Sequence, residues 1–371
     1  MKKEVIVLNC GSSSVKFAII DAETGEAGLT GIAEALGNSD ASLSYKLNGK
    51  KEKQALPEKA GHTEALNAIA EIIASTGVQP IAIGHRVVHG GEKFKGAALV
   101  DDSVLEAIEN YASMAPLHNM ANLKGIVTAQ AAYPDLPHVV VFDTSFFQTL
   151  PKKAFIYALP MSLYREHGIR RYGFHGTSHK FILDSMAKIL NKPVSDTSII
   201  SAHLGNGCSV SAIEKGQAVD TSLGFIPLEG LVMGTRCGDI DPSLPGTLQK
   251  KLGKTADEIS DLLNKQSGLL GISELSNDCR TLEDAALEGH EGALLAIEIF
   301  CYRLAKYIAG YMVAVPTLDA IVFTGGIGEN SSLIRETTMG YFAHFGITLD
   351  EQKNMDARFG QGGKISAENA S

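Results

Sequence analysis

The chain has 371 residues, 44% of them hydrophobic and 20% charged, with 38 glycines. That composition excludes a disordered or collagenous chain, and the length predicts two domains, each with its own core. A formal net charge of −9 and an isoelectric point near 5.7 exclude a general nucleic-acid or membrane-surface binder, which needs a basic face against phosphates; an anionic small substrate stays open if cations converge locally.

Met1-Lys2-Lys3 precedes an apolar run that Glu4 and Asn9 interrupt, too short for a signal segment, and no stretch of about 18 apolar residues predicts a membrane span. Residues 5–8 read as a strand, Asn9-Cys10-Gly11-Ser12-Ser13-Ser14 as a polar turn and 15–19 as a second strand. Residues 38–60, rich in Ser, Lys and Asn, predict an exposed hairpin or loop. Leu66, Ile69, Ala70 and Ile73 fall on one helical face, with Thr63 as a cap and Gly77 as a stop. Residues 139–142 form a buried-strand pattern that delivers Asp143 just beyond its end. Residues 198–202 then lead into His203-Leu204-Gly205-Asn206-Gly207-Cys208-Ser209 and a further strand over 210–213, repeating the strand-loop-strand layout of the N-terminus. Leu294, Ile297, Cys301, Leu304 and Ile308 mark a long amphipathic helix that stops near Pro316. A strand at 320–324 runs into Gly325-Gly326-Ile327-Gly328-Glu329-Asn330. Strands alternating with helices predict an α/β architecture. The five cysteines are scattered, odd in number and without a C-x-x-C pair, which fits a reducing cytoplasm.

Three glycine-rich segments, 11–14, 205–209 and 325–330, follow predicted strands. Glycine lets backbone N–H groups approach a phosphate, and Ser or Asn adds donors without bulk. None of the three matches the G-x-x-x-x-G-K-[ST] or G-x-G-x-x-G pattern. Singly each reads as a tight turn; together, at strand ends, they point to nucleotide binding. Lys16, on the strand leaving the first loop, suits either a phosphate contact or a solvated position.

Arginines and histidines sit among glycines in Gly84-His85-Arg86-Val87-Val88-His89-Gly90-Gly91-Glu92, in Arg170-Arg171-Tyr172-Gly173-Phe174-His175-Gly176-Thr177-Ser178-His179 and in Gly234-Thr235-Arg236-Cys237-Gly238-Asp239. Guanidinium groups match carboxylate and phosphate oxygens bidentately, so this set suits an anion-transfer site. The His175/His179 and His85/His89 spacings lack the glutamate of H-E-x-x-H, and Gly176 disfavours a helix carrying both members, which argues against zinc. Ser178, His179 and Asp143 lack a G-x-S-x-G elbow, which argues against a hydrolase triad. His118 suits a substrate-facing or a structural role equally.

Together these segments resemble the acetate kinase family, within the superfamily that joins acetate and sugar kinases to actin and its chaperone relatives. The carriers are Asn9-Cys10-Gly11-Ser12-Ser13-Ser14-Val15-Lys16, GHRVVHGGEKF at 84–94, APLHN at 115–119, VFDT at 141–144, YGFHGTSH at 172–179, HLGNG at 203–207, MGTRCG at 233–238 and FTGGIGEN at 323–330. The resemblance implies two ribonuclease H-like, actin-like ATPase domains, 1–145 and 146–371, with a cleft between them, in a cytoplasmic homodimer. It implies reversible in-line phosphoryl transfer between ATP and acetate, giving ADP and acetyl phosphate, with Mg²⁺ or Mn²⁺. It puts Asn9 at the metal, Ser12 and Lys16 beside the nucleotide phosphates, and Arg86 on the acid's carboxylate. Asp143 becomes the catalytic carboxylate, and His175 and Arg236 stabilise the transferring phosphoryl group. Val88, Leu117, Phe174 and Pro227 match the apolar acyl pocket, with His118 beside them. His203, Leu204, Gly205, Asn206 and Gly207 contact ATP phosphates, while Asp278, Cys279, Arg280, Gly326, Ile327, Gly328, Glu329 and Asn330 frame the adenosine. Relatives continue past the region of 360–371 with a strand, a metal-holding glutamate and a helix, for which this chain supplies no counterpart.

Elementary chemistry agrees with that assignment. A carboxylate nucleophile is already ionised at neutral pH, so the reaction needs charge management more than a base. Asp143, an anion beside an anionic substrate, is expected to orient an arginine or help hold the metal. Two other readings remain: a propionate or butyrate kinase of the same family, since a methylene shifts selectivity by only about 1–3 kcal/mol, and a non-catalytic nucleotide-gated binding module.

Overall fold

The computed structural model describes residues 3–47, 49–114 and 116–370, with the side chains of Ser113, Pro116 and Leu117 outside that description. The chain divides into two compact units, Met1–Gln148 and Thr149–Ser371.

In the first unit, β1 (Glu4–Cys10), β2 (Val15–Asp21), β3 (Ala27–Glu34), β4 (Ser42–Leu47) and β5 (Lys50–Ala55) form an antiparallel meander. On the other side of β1 lie β6 (Ala82–Val87) and β8 (His138–Phe142), both parallel to it, and the short β7 (Ala98–Leu99) closes the edge. The sheet order is β5-β4-β3-β2-β1-β6-β8-β7. The predicted hairpin within 38–60 is thus β4–β5, whose outer strand is exposed along its whole length.

Helix α1 (His62–Ser75) packs Leu66, Ile69 and Ile73 against Ile6, Leu8, Phe17 and Ile19. It starts earlier than the Thr63 cap predicts: Gly61 is the N-cap and its N–H donates to the Glu64 carboxylate, a local bond available without a capping hydroxyl. Helices α2 (Asp102–Asn110) and α3 (Pro116–Ala132) join a second cluster of Val104, Ile108 and Ile126 with Val87, Val140 and Phe142.

In the second unit the sheet order is β11-β10-β9-β12, with β9 (Ile199–Leu204), β10 (Cys208–Glu214) and β11 (Gln217–Thr221) antiparallel and β12 (Ala320–Thr324) parallel to β9. A meander joined across its first strand by a parallel strand is therefore present in both units. The predicted long helix is Glu291–Met312; Ile297, Cys301, Leu304 and Ile308 are buried, but Leu294 is about half exposed and Ala293, Ala296 and Phe300 complete the inner face. The third glycine-rich segment is not a loop. It forms a short helix, Gly325–Asn330, because Glu329 turns back to accept from Thr324 Oγ1 and the Gly325 N–H.

Candidate active site

In the first unit, strand periodicity brings the charged residues together. Ile6, Leu8 and Cys10 of β1 are buried, as are Ile83, His85 and Val87 of β6 and Val140 and Phe142 of β8. Asn9, Arg86 and Asp143 occupy the alternate positions near the strand ends and so share the opposite face. Arg86 donates from Nε to Asp143 Oδ1 at 2.9 Å, from Nη2 to Asp143 Oδ2 at 2.5 Å and from Nη1 to Asn9 Oδ1 at 3.2 Å. Those bonds use three of the five guanidinium N–H groups. Asp143 is 1% exposed, while the Arg86 side chain is 35% exposed, so the pair has a buried end and an open end. The Asp143 charge raises the Arg86 pKa against the opposing effect of burial.

Val88 is buried beside this face. His118 is half-buried in the first turn of α3, and the Leu117 side chain lies outside the described residues. Ser12 and Lys16 are exposed on the β1–β2 connection and on β2. Two residues that sequence reasoning passed over hold the Arg86 loop. Asn122 accepts from the Val88 N–H at 3.1 Å and donates to the Cys10 carbonyl at 2.6 Å. Asn119 accepts from the His89 N–H and donates to the His89 and Ile108 carbonyls. Both are almost fully buried, one helical turn apart on α3. Asparagines at that spacing in an apolar helix were the available signal.

In the second unit, His175 stands immediately before the helix Gly176–Ile189 with φ of 60°, a left-handed conformation unusual outside glycine. Its ring lies 4.4 Å, centroid to centroid, from that of His203 on β9. At Gly207, between β9 and β10, an added Cβ would lie a tight 3.3 Å from Arg236 Nη1 and 3.5 Å from His175 Nε2. The arginine and the imidazole thus converge over one glycine backbone. Arg236 Nη1 donates to the Pro227 carbonyl at 2.9 Å. Among the described residues no carboxylate pairs with Arg236, and burial lowers its pKa. Phe174 is buried next to His175, and Pro227 is half-buried.

The remaining predicted residues gather at the ends of β9 and β12. Asn206 is exposed and accepts from Asn277 Nδ2 at 3.0 Å, and its carbonyl accepts from the Gly234 N–H, which ties the His203–Gly207 loop to the loop before Asp278. Asp278 caps the helix Cys279–Leu287 and holds Arg280, which is largely exposed, by two further bonds; the Cys279 thiol is buried. Leu204 is fully buried and Gly205 bonds back to Gly207. Asn330 donates to the Gly326 carbonyl, and Gly328 is buried in the helix Gly325–Asn330, between the half-buried Ile327 and the exposed Glu329 in sequence.

A divalent ion fits poorly as a resident of the protein. Among the described residues no group of three His, Cys, Asp or Glu side chains could hold one. Asn9 offers a single neutral oxygen that already accepts from Arg86. Magnesium keeps most of its ligands as water and substrate phosphate, which suits an ion carried by the nucleotide better than a protein cage.

A chain with two meander-plus-parallel units, each with arginine, histidine and glycine residues near its strand ends, has the architecture of a phosphotransferase. The structure of a propionate kinase from Francisella tularensis subsp. tularensis SCHU S4 superposes with a TM-score of 0.94 at 44% identity, over 99% of this chain and 94% of that one. A Porphyromonas gingivalis acetate kinase gives 0.91 at 41% identity with the same coverage. An acetate kinase of Shewanella sp. (strain W3-18-1) is 56% identical over 99% of this chain and 93% of its own length. The acetokinase family model matches residues 4–371, and the chain belongs to that family.

Proposed function

We propose that this protein is an acetate kinase, catalysing reversible phosphoryl transfer from MgATP to acetate. Its 56% identity to a protein named acetate kinase, over nearly the whole chain, supports that substrate pair. The structural observation that carries it is the convergence of Arg236 Nη1 and His175 Nε2 over Gly207, with no carboxylate among the described residues to neutralise the arginine.

A half-buried guanidinium without a carboxylate attracts a polyanion, and an imidazole beside it adds a second donor where transition-state charge develops. Arg86, in the first unit, is assigned to the acid. Its other two N–H groups make no hydrogen bond among the described residues and suit a carboxylate, while Asp143 holds the guanidinium plane. Acetate is already ionised, so no base is required, and Asp143 serves as an orienting group rather than a proton acceptor.

In this reading Val88, Leu117 and His118 of the first unit, and Phe174 and Pro227 of the second, are each assigned to the acid. Loops 204–207, 278–280 and 326–330 receive the nucleotide, together with Ser12, Lys16 and His203. Asn9 is the residue that would meet a magnesium ion brought by the nucleotide, which would offset phosphate charge. The protein works in the cytoplasm as a homodimer; all five cysteines are unbridged, which suits a reducing compartment. Among the described residues no helix is long and apolar enough to cross a membrane.

Trapping acetyl phosphate with hydroxylamine in the presence of MgATP and acetate tests the activity. Formation of the hydroxamate is expected; its absence leaves a nucleotide-binding module. Comparing kcat/KM for acetate, propionate and butyrate tests the acid, and a larger value for propionate would reassign it.

A further inference from the structure

The second unit holds a buried arginine that the proposed reaction leaves unused. Arg335, in the helix Ser332–Gly340, is 2% exposed, and among the described residues no carboxylate pairs with it. Burial and the neighbouring Arg358 lower its pKa, with Glu283 opposing. Its donors go to amide oxygens instead: Nε to Asn354 Oδ1 at 2.7 Å, Nη2 to the Asn354 and Ala357 carbonyls at 2.6 and 3.0 Å, and Nη1 to the Gly328 carbonyl at 2.9 Å. Asn354, 1% exposed, also donates from Nδ2 to the Ser332 carbonyl at 3.0 Å. One guanidinium therefore joins the helix Gly325–Asn330 to the helix Glu351–Asp356 and the residue that ends it.

The helix Gly325–Asn330 has 6 residues, too few to be stable alone, so its shape depends on what is bonded to it. Gly328 contributes one of its last carbonyls, which no N–H of the helix can reach, and Arg335 takes it. A second tie comes from the segment that follows Ala357. The Phe359 N–H donates to Asn330 Oδ1 at 3.0 Å, while Asn330 Nδ2 donates to the Gly326 carbonyl at 2.9 Å. A backbone N–H can only donate and a carbonyl can only accept, so these two partners fix which way the Asn330 amide faces. Burying a guanidinium without a counter-charge is costly, and an apolar side chain would fill the same space without that cost. What the arginine adds is four directed bonds across two elements.

We propose that Arg335, with Asn354 beside it, is a positioning residue for the nucleotide: it holds the helix Gly325–Asn330 in its nucleotide-receiving shape by docking residues 350–359 against it. The proposal rests on the reading of 326–330 as part of the nucleotide site. Nucleotide binding and docking of 350–359 are then linked, each favouring the other, although that segment contains no residue assigned to the nucleotide.

Hydrogen exchange read by mass spectrometry on the unmodified enzyme, with and without MgADP, tests that linkage without any variant having to fold. Peptides covering 325–331 and 350–360 are expected to gain protection together, over the same range of MgADP, beyond any gain in the helix Leu244–Leu252 of the same unit. Protection at 325–331 with none at 350–360 overturns the proposal and leaves the nucleotide site standing; no protection at 325–331 overturns both. In kinetics, Arg335→Lys keeps the charge, but one ammonium cannot span the Gly328, Asn354 and Ala357 carbonyls. It is expected to raise the KM for ATP about tenfold, the worth of one hydrogen bond to a charged group, with kcat at saturating ATP and the KM for acetate little changed. Asn354→Asp keeps the acceptor for Arg335 Nε and is expected to raise the KM for ATP less. A variant that only folds less well loses kcat in proportion to its folded fraction and leaves both KM values in place. That pattern in Arg335→Lys, or an equal rise in the KM for acetate, assigns Arg335 a structural role and sinks the proposal.

Discussion

Each unit presents an arginine at the end of its sheet, and the two are treated in opposite ways. Arg86 is locked by a buried carboxylate through two charge-assisted bonds, whereas Arg236 donates to the Pro227 carbonyl and, weakly, to Met233 Sδ, and has no carboxylate partner among the described residues. A guanidinium already paired has little net charge to offer and acts by geometry; one left uncompensated acts by charge. The first arrangement suits a small monoanion that must be aligned, the second a polyanion whose charge must be offset. The largest expected effects follow from breaking this contrast. Arg86→Ala deprives Asp143 of its guanidinium and is expected to lower unfolding stability by roughly 3 kcal/mol, as well as raising the KM for acetate and slowing turnover. Arg236→Ala leaves no buried carboxylate behind and is expected to lower kcat chiefly, with stability nearly kept. Urea melts and initial rates on both variants check this, and equal loss of stability in the two would erase the distinction.

Gly207 sharpens the same comparison, since it is the backbone over which the uncompensated arginine and His175 meet. A methyl group there sits 3.3 Å from Arg236 Nη1, tight enough to need a shift of a few tenths of an ångström. Gly207→Ala should therefore fold with nearly unchanged stability yet lose on the order of a hundredfold in kcat, because it displaces donors aimed at developing charge. A variant with undiminished kcat would place the reacting group elsewhere.

The two regions also differ in how far the sequence reveals them. Strand alternation around Asn9, Arg86 and residues 139–143 is visible in the letters, so placing the three side chains on one face needs only the period of 2. The pairing of Asp143 with Arg86 is tertiary and shows only in the structure. In the second unit, β9 and β10 are buried on both faces, so hydrophobic periodicity is erased and the polar period of Ser201, His203, Ser209 and Ser211 goes unread. Two boundaries also move, at the start of α1 and in the helix Gly325–Asn330, both because a glutamate side chain supplies the capping bond that sequence reasoning seeks from a hydroxyl or assigns to no one.

A smaller effect compares the units through their buried histidines. His85 on β6 lies 2.9 Å from His138 Nδ1 in the first unit, and His179 is its counterpart in the second; burial lowers both pKa values from an ordinary 6.5 to about 3, aided by His138 and His203 respectively. Below the ordinary pKa the unfolded chain takes up protons that the folded chain refuses. Stability is therefore complete above that value and falls as pH drops from 6.5 towards about 3, by at most about 1.4 kcal/mol per pH unit for each histidine. Urea midpoints measured from neutral to mildly acidic pH should show this slope, and His85→Gln should remove one histidine's share of it. An unchanged slope would mean that His85 takes a proton without unfolding.

The smallest effect lies in the helix that braces the first unit's arginine. Asn122→Ala strips partners from the Val88 N–H and the Cys10 carbonyl, two backbone groups on the segments that carry Arg86 and Asn9. Orphaned buried groups cost roughly 1–3 kcal/mol, part of which local movement recovers. Because the bracing acts on the loop after β6, the expected kinetic signature is a KM for acetate raised severalfold with a smaller change in kcat, the reverse of the Arg236→Ala pattern. Asn122→Asp keeps the acceptor for Val88 but loses the donor to Cys10, and so should fall between the two. If Asn122→Ala instead lowers kcat and leaves the KM for acetate alone, the α3 brace serves the phosphoryl step, and alignment of the carboxylate by the Arg86 face ceases to be a separate function of the first unit.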